Sequence, residues 1–264
     1  MKIVILTGNN LRHYWFARAL SEQLEAVGIV FEEKRSAVSA ESADEITLQH
    51  LQEREAAEQK YFNGDYQSYF SRFKTLAVKS GEVNSPQTFS WVKDLKPDAL
   101  VLFGSSIIKE PYLSYFENRA INIHLGLSPY YRGTATNFWP LVNNEPECVG
   151  ATIHLAILKV DAGAILQQFR PDIELGDGPH DIGCQVIVKG AQMMAEAVKR
   201  YLAGEIKPQL QPASQLKEGK LYKRDDFNAA AVLKMRENFK QGMIENYLKN
   251  KEERDKKYPI ICSF

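Results

Sequence analysis

The sequence has 264 residues, which is enough for one large α/β domain with an appendage or for two small domains. Hydrophobic residues make up 44% and charged residues 25%, a balance typical of a globular protein in water. Lysine plus arginine equal aspartate plus glutamate at 33 each, whereas a protein that holds nucleic acid through its phosphates usually has a basic excess. The composition therefore argues against a nucleic acid partner.

The cysteines and the N-terminal residues indicate the cellular compartment in which the protein is expected to reside. Cys148, Cys184 and Cys262 are widely spaced and odd in number, so they predict neither a disulfide framework nor a metal-ligand pair. The opening MKIVILTGNN has an apolar run that is too short for a signal peptide. No segment of the sequence approaches the ~20 apolar residues that span a bilayer. We expect a cytoplasmic protein without a membrane partner.

The N-terminal residues predict a β-α-β unit. Residues 2–6 form a β-branched apolar run, which predicts a strand, and the turn-prone residues 7–10 follow. A helix is predicted next, with Gly28 near its end and one apolar face formed by Phe16, Ala19, Leu20 and Leu24. Residues 29–31 predict the second strand. This opening favours a parallel, doubly wound sheet.

Residues 44–73 are highly charged and carry several aromatic side chains, with Gly64 as a break. We expect two solvated helices that pack their aromatic rings on the domain; the alternative is a lid or a wall of the substrate site. After Ser85 and Pro86, the segment SWVKDLK predicts a short helix. The apolar run 99–103, bounded by turn residues, predicts a buried central strand.

The second half of the sequence predicts three strands followed by a long helix. The strands are expected at residues 120–124, 149–155 and 164–169, and the helix at residues 181–202. Beyond Lys207 the composition shifts to proline, glutamine and lysine. These residues predict a short extension that ends in a charged helix over about residues 228–256.

Asn122 and His124 stand at the end of a predicted strand. Strand alternation places their side chains on one side and turns Ile123 into the core. The carboxyl ends of strands in an open α/β sheet are where ligands bind. A neighbouring amide and imidazole can polarise a carbonyl oxygen and move a proton there. A buried structural pair is an equally simple interpretation of these two residues alone.

The segment NIHLGLSPYYRG, followed by VDAGAILQQ, resembles the folate-dependent formyltransferase family. The shared features are the Asn-x-His strand end, a loop with Leu-x-Pro, and an Asp-x-Gly loop about forty residues later. The resemblance covers roughly residues 1–205 and implies an α/β fold with a Rossmann-like, doubly wound, mostly parallel sheet. It divides the chain into a formyltransferase catalytic domain, residues 1–205, and a partly helical C-terminal extension, residues 206–264.

The resemblance implies that Asn122, His124 and Asp161 are catalytic and that 10-formyltetrahydrofolate is the co-substrate. When an amine attacks the formyl carbon, negative charge develops on the formyl oxygen, and a protonated His124 and the Asn122 amide can donate to it. Asp161 would favour the charged imidazole and accept the proton that the amine releases. No metal is expected, because the acceptor amine is itself the nucleophile. The residues expected to bind the folate are Phe103, Gly104, Ser105, Ser106, Ile107, Val160, Ala162 and Gly163.

The acceptor is expected to be a small molecule. Residues 7–12 hold a single glycine, unlike the phosphate loop of the ribonucleotide enzymes, and residues 206–264 lack the β-rich character of the tRNA enzymes' extra domain. Residues 132–140 and 220–227 resemble the sugar formyltransferases. We therefore predict a nucleotide-linked amino sugar; the alternatives are another small amine such as glycinamide ribonucleotide, or a non-catalytic folate-binding protein. The residues predicted to contact the acceptor are Asn9, Arg12, Ser128, Arg132, Gly133, Trp139 and Tyr222.

The remaining histidines have simpler interpretations. His154 alternates inside a strand and is predicted to be structural, and His180 is predicted to be solvated in its loop. His13 beside Arg12 either binds an anion or lies on the surface. The charged C-terminal helix either docks on a second subunit, giving a homodimer, or folds back on its own chain.

Overall fold

The computed structural model describes residues 1–34, 44–211, 216 and 218–264. Its centre is a seven-stranded sheet with the order β3-β2-β1-β4-β5-β7-β8. The first five strands in chain order are parallel, and β7 and β8 are antiparallel to their neighbours. The seven strands are β1 (Lys2–Gly8), β2 (Glu25–Glu32), β3 (Thr75–Val78), β4 (Ala99–Phe103), β5 (Ala120–His124), β7 (Ala151–Leu155) and β8 (Ile165–Phe169).

Helices cover both faces of this sheet. In chain order they are α1 (Leu11–Ser21), α2 (Glu45–Phe62), α3 (Tyr66–Phe70), α4 (Pro86–Asp94), α5 (Tyr112–Tyr115), α6 (Trp139–Val142), α7 (Pro179–Leu202), α8 (Ala229–Lys240), α9 (Met243–Lys249) and α10 (Lys251–Lys257). A small second sheet pairs β6 (Tyr131–Gly133) with β9 (Lys220–Tyr222) in parallel. The predicted Rossmann-like, mostly parallel α/β architecture is confirmed.

The two faces of β1 show why the sheet lies at the centre. Ile3 and Ile5 join the larger core cluster, which packs against α1, α2 and α7. Val4 and Leu6 join the smaller cluster on the opposite face, which includes side chains of α4 and α5. All four side chains are fully buried. A continuous apolar run, rather than an alternating one, is typical of a parallel strand that is covered on both faces.

Three boundaries differ from the sequence prediction. Helix α1 ends at Ser21, and Gly28 lies inside β2, where a Cβ would stand 2.3 Å from the Leu95 side chain. Helix α4 begins at Pro86, because the Ser85 hydroxyl caps it by accepting from the Thr88 N–H at 3.2 Å. The single C-terminal helix is three helices, since Gly242 adopts φ +78° and interrupts the run. The predicted helix pair with a break at Gly64 is present as α2 and α3.

The C-terminal segment packs on its own chain. Arg236 of α8 pairs with Glu53 of α2 at 2.9 Å, and Arg254 of α10 pairs with the buried Glu147 at 2.8 Å. Residues after α10 then run along the edge strand β8: the Gln168 N–H donates to the Ile261 carbonyl at 2.7 Å, and the Ser263 hydroxyl donates to the Leu166 carbonyl at 2.6 Å. These contacts match the fold-back alternative; a homodimer stays a prediction.

None of the described helices is both long enough and apolar enough to span a membrane.

The loop between β7 and β8 depends on the absence of a side chain at Gly163. A Cβ there would stand 1.7 Å from the Leu155 carbonyl oxygen, so the backbone must move. We predict that Gly163→Ala lowers the free energy of unfolding by about 3 kcal/mol, through overpacking against a backbone atom. Urea unfolding at constant m-value measures the change.

Gly183→Ala is the matched control, because in the described part of the chain no atom outside the adjacent backbone of α7 lies within 4 Å of a Cβ built on this residue. The control should gain about 0.5–1 kcal/mol, since alanine is a better helix former than glycine. Equal unfolding midpoints for the two variants would contradict the packing argument.

Candidate active site

The sheet order places a crevice at its carboxyl edge. From β1 the chain adds β2 and then β3 on one side of the sheet, and it then crosses back to place β4 on the other side of β1. The loops that follow β1 and β4 therefore diverge. A cavity of about 860 Å³ lies there. Its walls come from the start of α1, the segment after β4, the end of β5, residues 133–138, and helices α2 and α7. Asn122, His124 and Asp161 all line it, so the structure brings the predicted trio together.

Asn122 is oriented by His154, which stands directly opposite it in the antiparallel β5–β7 pair. The His154 Nδ1–H donates to the Leu155 carbonyl at 2.9 Å, which leaves Nε2 to accept from the Asn122 amide nitrogen at 3.0 Å. Complete burial, as the largest effect, lowers the pKa of His154 and keeps the ring neutral, as this pattern requires. One of the two amide hydrogens of Asn122 stays available to a ligand.

His124 and Asp161 form a buried pair. The His124 Nδ1 lies 3.3 Å from Asp161 Oδ1, and the His124 Nε2 lies 3.2 Å from the Tyr131 carbonyl oxygen. An oxygen that can accept a hydrogen bond therefore lies near each ring nitrogen of His124. The side chains of His124 and Asp161 are 8% and 10% exposed, so the pair stands in the cavity wall with little contact to solvent.

The backbone around Asp161 is held in an uncommon conformation. Asp161 has φ +51°, in the left-handed region, where aspartate, asparagine and histidine are the most frequent residues other than glycine. The Gly133 N–H donates to Asp161 Oδ2 at 3.2 Å, and the Gln211 amide donates to the Asp161 carbonyl at 2.9 Å and to the Gly163 carbonyl at 2.8 Å. These contacts compensate for the strain and fix the carboxylate beside both imidazoles.

The segment after β4 is clamped by a buried carboxylate. Glu32 is 1% exposed and accepts from the Ser106 N–H at 2.5 Å and from the Gly81 N–H at 2.7 Å. Gly104 has φ +67°, and a Cβ on it would stand 2.5 Å from the His13 ring. His13 is therefore not a surface residue, and it lines the cavity beside Arg12. It is buried, its pKa is lowered mainly by burial, and its Nδ1 accepts from the Asn10 N–H at 3.2 Å.

Most residues predicted to bind the folate line the cavity. They are Phe103, Gly104, Ser105, Ser106, Ile107 and Val160. Ala162 and Gly163 do not line it, because the loop turns after Asp161 and Gly163 packs against the Leu155 carbonyl. Ile107 and Val160 are 52% and 42% exposed, so the mouth of the cavity carries unpartnered apolar surface.

Of the residues predicted to contact the acceptor, Arg12 and Gly133 line the cavity. The other five lie outside its walls for identifiable reasons. Asn9 accepts from the Lys34 N–H, Ser128 is fully buried beside a cis proline, Arg132 donates to the Leu216 carbonyl, and Trp139 and Tyr222 stack on each other with ring centroids 4.1 Å apart. The aromatic pair thus supports the loop after β5.

The sequence prediction missed three histidines of the cavity wall, His50, His154 and His180. His180, predicted to be solvated, is 14% exposed and lies with its ring centroid 4.5 Å from that of His50 in α2. His154, predicted to be structural, lies in the wall beside Asn122. His50, Glu53 and His180 offer ligand atoms within 4.8 Å of one another, which is a possible cation arrangement. The i, i+3 spacing of His50 and Glu53 on one helix face is the signal that sequence reasoning overlooked.

Comparison with known proteins places this geometry in a family. Residues 1–198 match the family described as formyl transferase. The methionyl-tRNA formyltransferase of Caldanaerobacter subterraneus subsp. tengcongensis is 30% identical over 151 residues, which are 54% of this chain and 48% of that protein. The chain spans about half the length of the curated relatives that it matches first.

Solved structures show the same fold. Phosphoribosylglycinamide formyltransferase from Anaplasma phagocytophilum has a TM-score of 0.57 at 17% identity, over 81% of this chain and 94% of that one. The N-formyltransferase from Helicobacter canadensis, in complex with folinic acid and dTDP-3-aminofucose, has a TM-score of 0.56 at 16% identity, over 86% and 73%. Because the family match spans 198 of 264 residues, the chain belongs to the folate-dependent formyltransferase family.

Proposed function

We propose that this chain transfers the formyl group of 10-formyltetrahydrofolate to the amino group of a nucleotide-linked amino sugar in the cytoplasm. The observation that carries the reaction type is the convergence of Asn122, His124 and Asp161 in one cavity wall, within the residues that match the family. The proposed folate site is the segment after β4 with Val160, whose exposed apolar side chains suit an aromatic ring system.

The proposed chemistry is nucleophilic attack by the neutral amine on the formyl carbon. The formyl oxygen becomes negative, the attacking nitrogen becomes positive, and the folate nitrogen leaves as it takes up a proton. Asn122 has one amide hydrogen to donate to the developing oxyanion, and its orientation is fixed by His154 before the substrate arrives. Asp161 accepts the proton of the attacking nitrogen, directly or through water, and this proton passes to the folate nitrogen as its bond to the formyl carbon breaks.

The proposed role of His124 differs from the sequence expectation. Its two nitrogens face Asp161 and the Tyr131 carbonyl, so in this arrangement a protonated ring offers a fixed positive charge in the cavity wall rather than a free donor. Such a charge in a site with little water stabilises a developing oxyanion without reorganising. Once Asp161 takes the amine proton, the pair with His124 weakens, and the ring is released to donate.

The acceptor assignment is supported by the cavity and by one relative. The cavity volume of about 860 Å³ lies in the upper part of the range of small-molecule sites, roughly 300–1,000 Å³. The Helicobacter canadensis N-formyltransferase was solved with a nucleotide-linked amino sugar and a folate, and we propose the same two classes of ligand here. Glycinamide ribonucleotide is the second candidate, because it is also an amine that carries a phosphate and the fold is shared with that enzyme class.

Substitution of the trio tests the proposed chemistry. We predict that Asn122→Ala lowers kcat by about 10²–10³-fold, because one donor to the oxyanion is lost. Asp161→Asn should lower kcat by about 10²–10⁴-fold, through loss of the proton acceptor. Asparagine tolerates the left-handed backbone at this position, so the loop conformation should persist. Steady-state release of tetrahydrofolate measures kcat, and fluorescence titration measures folate binding.

Asn63→Ala is the matched control, because this exposed asparagine at the end of α2 lies outside the cavity wall. The control should keep the kcat of the unmodified protein. Full activity of Asn122→Ala and Asp161→Asn would remove the basis for the proposed mechanism.

A panel of amines tests the acceptor. The panel holds several nucleotide-linked amino sugars, glycinamide ribonucleotide and charged initiator tRNA, and each is assayed with 10-formyltetrahydrofolate and with His124→Ala as control. We predict turnover of one amino-sugar nucleotide that is abolished in the control. Turnover of glycinamide ribonucleotide alone would reassign the acceptor, and folate binding without turnover of any amine would favour a non-catalytic role.

A further inference from the structure

Three buried polar atoms in the α2 and α7 walls of the cavity have no hydrogen-bond partner among the described residues. They are His50 Nδ1, Arg54 Nε and His180 Nε2. His50 is 5% exposed, and all three side chains line the same cavity as Asn122, His124 and Asp161. Buried polar atoms are almost always paired in native proteins. Arg54 Nε lies 3.6 Å from Glu58 and His180 Nε2 lies 3.9 Å from Glu53, both beyond hydrogen-bond distance, so the three atoms keep hydrogen-bonding capacity for a ligand.

The charges of the wall indicate the sign of that ligand. Four cationic side chains line the cavity: Arg12, Lys34, Arg54 and Arg224. Among the described residues, only two carboxylates line the cavity, and both already face cationic or imidazole groups: Glu58 lies 2.6 Å from Arg12 and 3.6 Å from Arg54, and Asp161 lies 3.3 Å from His124. Burial lowers the pKa of Lys34, and Arg12 and Arg224 lower it further against the opposing effect of Glu32. This clustering of like charge favours an anion.

We propose that His50, Arg54 and His180 form an anion site that holds a phosphate group of the acceptor, with proton uptake by the two imidazoles when the anion binds. The proposal rests on the proposed function, since it assigns this end of the cavity to the acceptor and restricts the acceptor to phosphate-bearing amines. It adds three residues that the resemblance did not supply. A guanidinium and imidazoles are suited to phosphate because their hydrogen bonds to it are charge-assisted.

The two imidazoles are neutral while the site is empty. Burial lowers the pKa of His50 to about 3 and that of His180 to about 4. Arg54 and Arg236 lower the pKa of both rings, and each ring also faces the other; Glu53 and Asp181 raise the pKa of His180 only in part. A bound dianion favours the charged rings and reverses this balance. Anion affinity should therefore rise as the pH falls below neutrality, in step with proton uptake.

A divalent cation is the competing ligand, because Glu53 completes a three-residue set with the two histidines. Glu53 is not part of the cavity wall, and its Oε1 is held by Arg236 at 2.9 Å. Arg54 and Arg236 also place two positive charges beside the rings. Glu53 Oε2 lies 3.9 Å from His180 Nε2, but a cation there would have to overcome both positive charges, whereas an anion gains from them.

Sulfate binding to the full chain tests the site without any turnover. Sulfate keeps a constant charge over the pH range of the test, so a pH dependence comes from the protein. We expect sulfate, compared with chloride at equal ionic strength, to raise Tm, and to raise it more at about pH 5.5 than at about pH 7.5. Imidazole proton chemical shifts report the sulfate affinity and the protonation of His50 and His180.

Arg54→Gln should weaken sulfate binding about tenfold or more, through loss of a charge-assisted hydrogen bond. Arg18→Gln is the matched control, because it breaks an Arg–Glu pair of the same i, i+4 spacing on the exposed surface of α1, and the sulfate affinity of this variant should not change.

A double His50→Gln, His180→Gln variant should lose the pH dependence of sulfate binding. In turnover, Arg54→Gln should raise KM for an amino-sugar nucleotide at least tenfold and leave KM for the free amino sugar unchanged.

Two results would overturn the anion site. One is sulfate binding that is absent or equal in Arg54→Gln and Arg18→Gln. The other is saturable Zn²⁺ binding that is lost in Glu53→Gln, without any response to sulfate. These results are separable from the proposed function: sulfate can bind as expected when no amino-sugar nucleotide is formylated, and formylation can proceed when sulfate does not bind.

Discussion

One buried carboxylate organises the candidate site. Asp161 is 10% exposed and must be paired, because an unpaired charge in that position is strongly destabilising. Its partners come from separate parts of the chain: His124 at the end of β5, His154 on β7 and the Gly133 backbone in β6. The carboxylate therefore links strands of the main sheet to the small sheet at the cavity wall.

Much of this arrangement follows from the sequence. Period-two alternation places Asn122 and His124 on one side of a strand, and the structure has both side chains in the cavity wall. The unbroken apolar runs in β1 and β4 predict strands with two covered faces, which are present. Local rules of this kind succeed because propensity, burial and strand direction all agree in these segments.

The parts that could not be predicted depend on contacts between distant residues. His154 orients Asn122 because β5 and β7 pair antiparallel with these two residues in register, and a single strand's alternation carries no information about register. His50 and His180 meet through the packing of α2 against α7. Trp139 and Tyr222 are both predicted to contact the acceptor, but their rings stack on each other and neither residue lines the cavity.

The C-terminal residues also give β8 a neighbour. An uncovered edge strand presents unpaired N–H and C=O groups that recruit strands from other molecules. Gln209 bridges Ile165 in both directions at 2.8 Å, and Ile261 and Ser263 cover the remainder of this edge, partly through the side-chain amides of Gln167 and Gln168. The C-terminal residues thus protect the edge of the sheet. Proteolytic removal of these residues would expose the backbone N–H and C=O groups of β8, which could then pair with strands of other molecules.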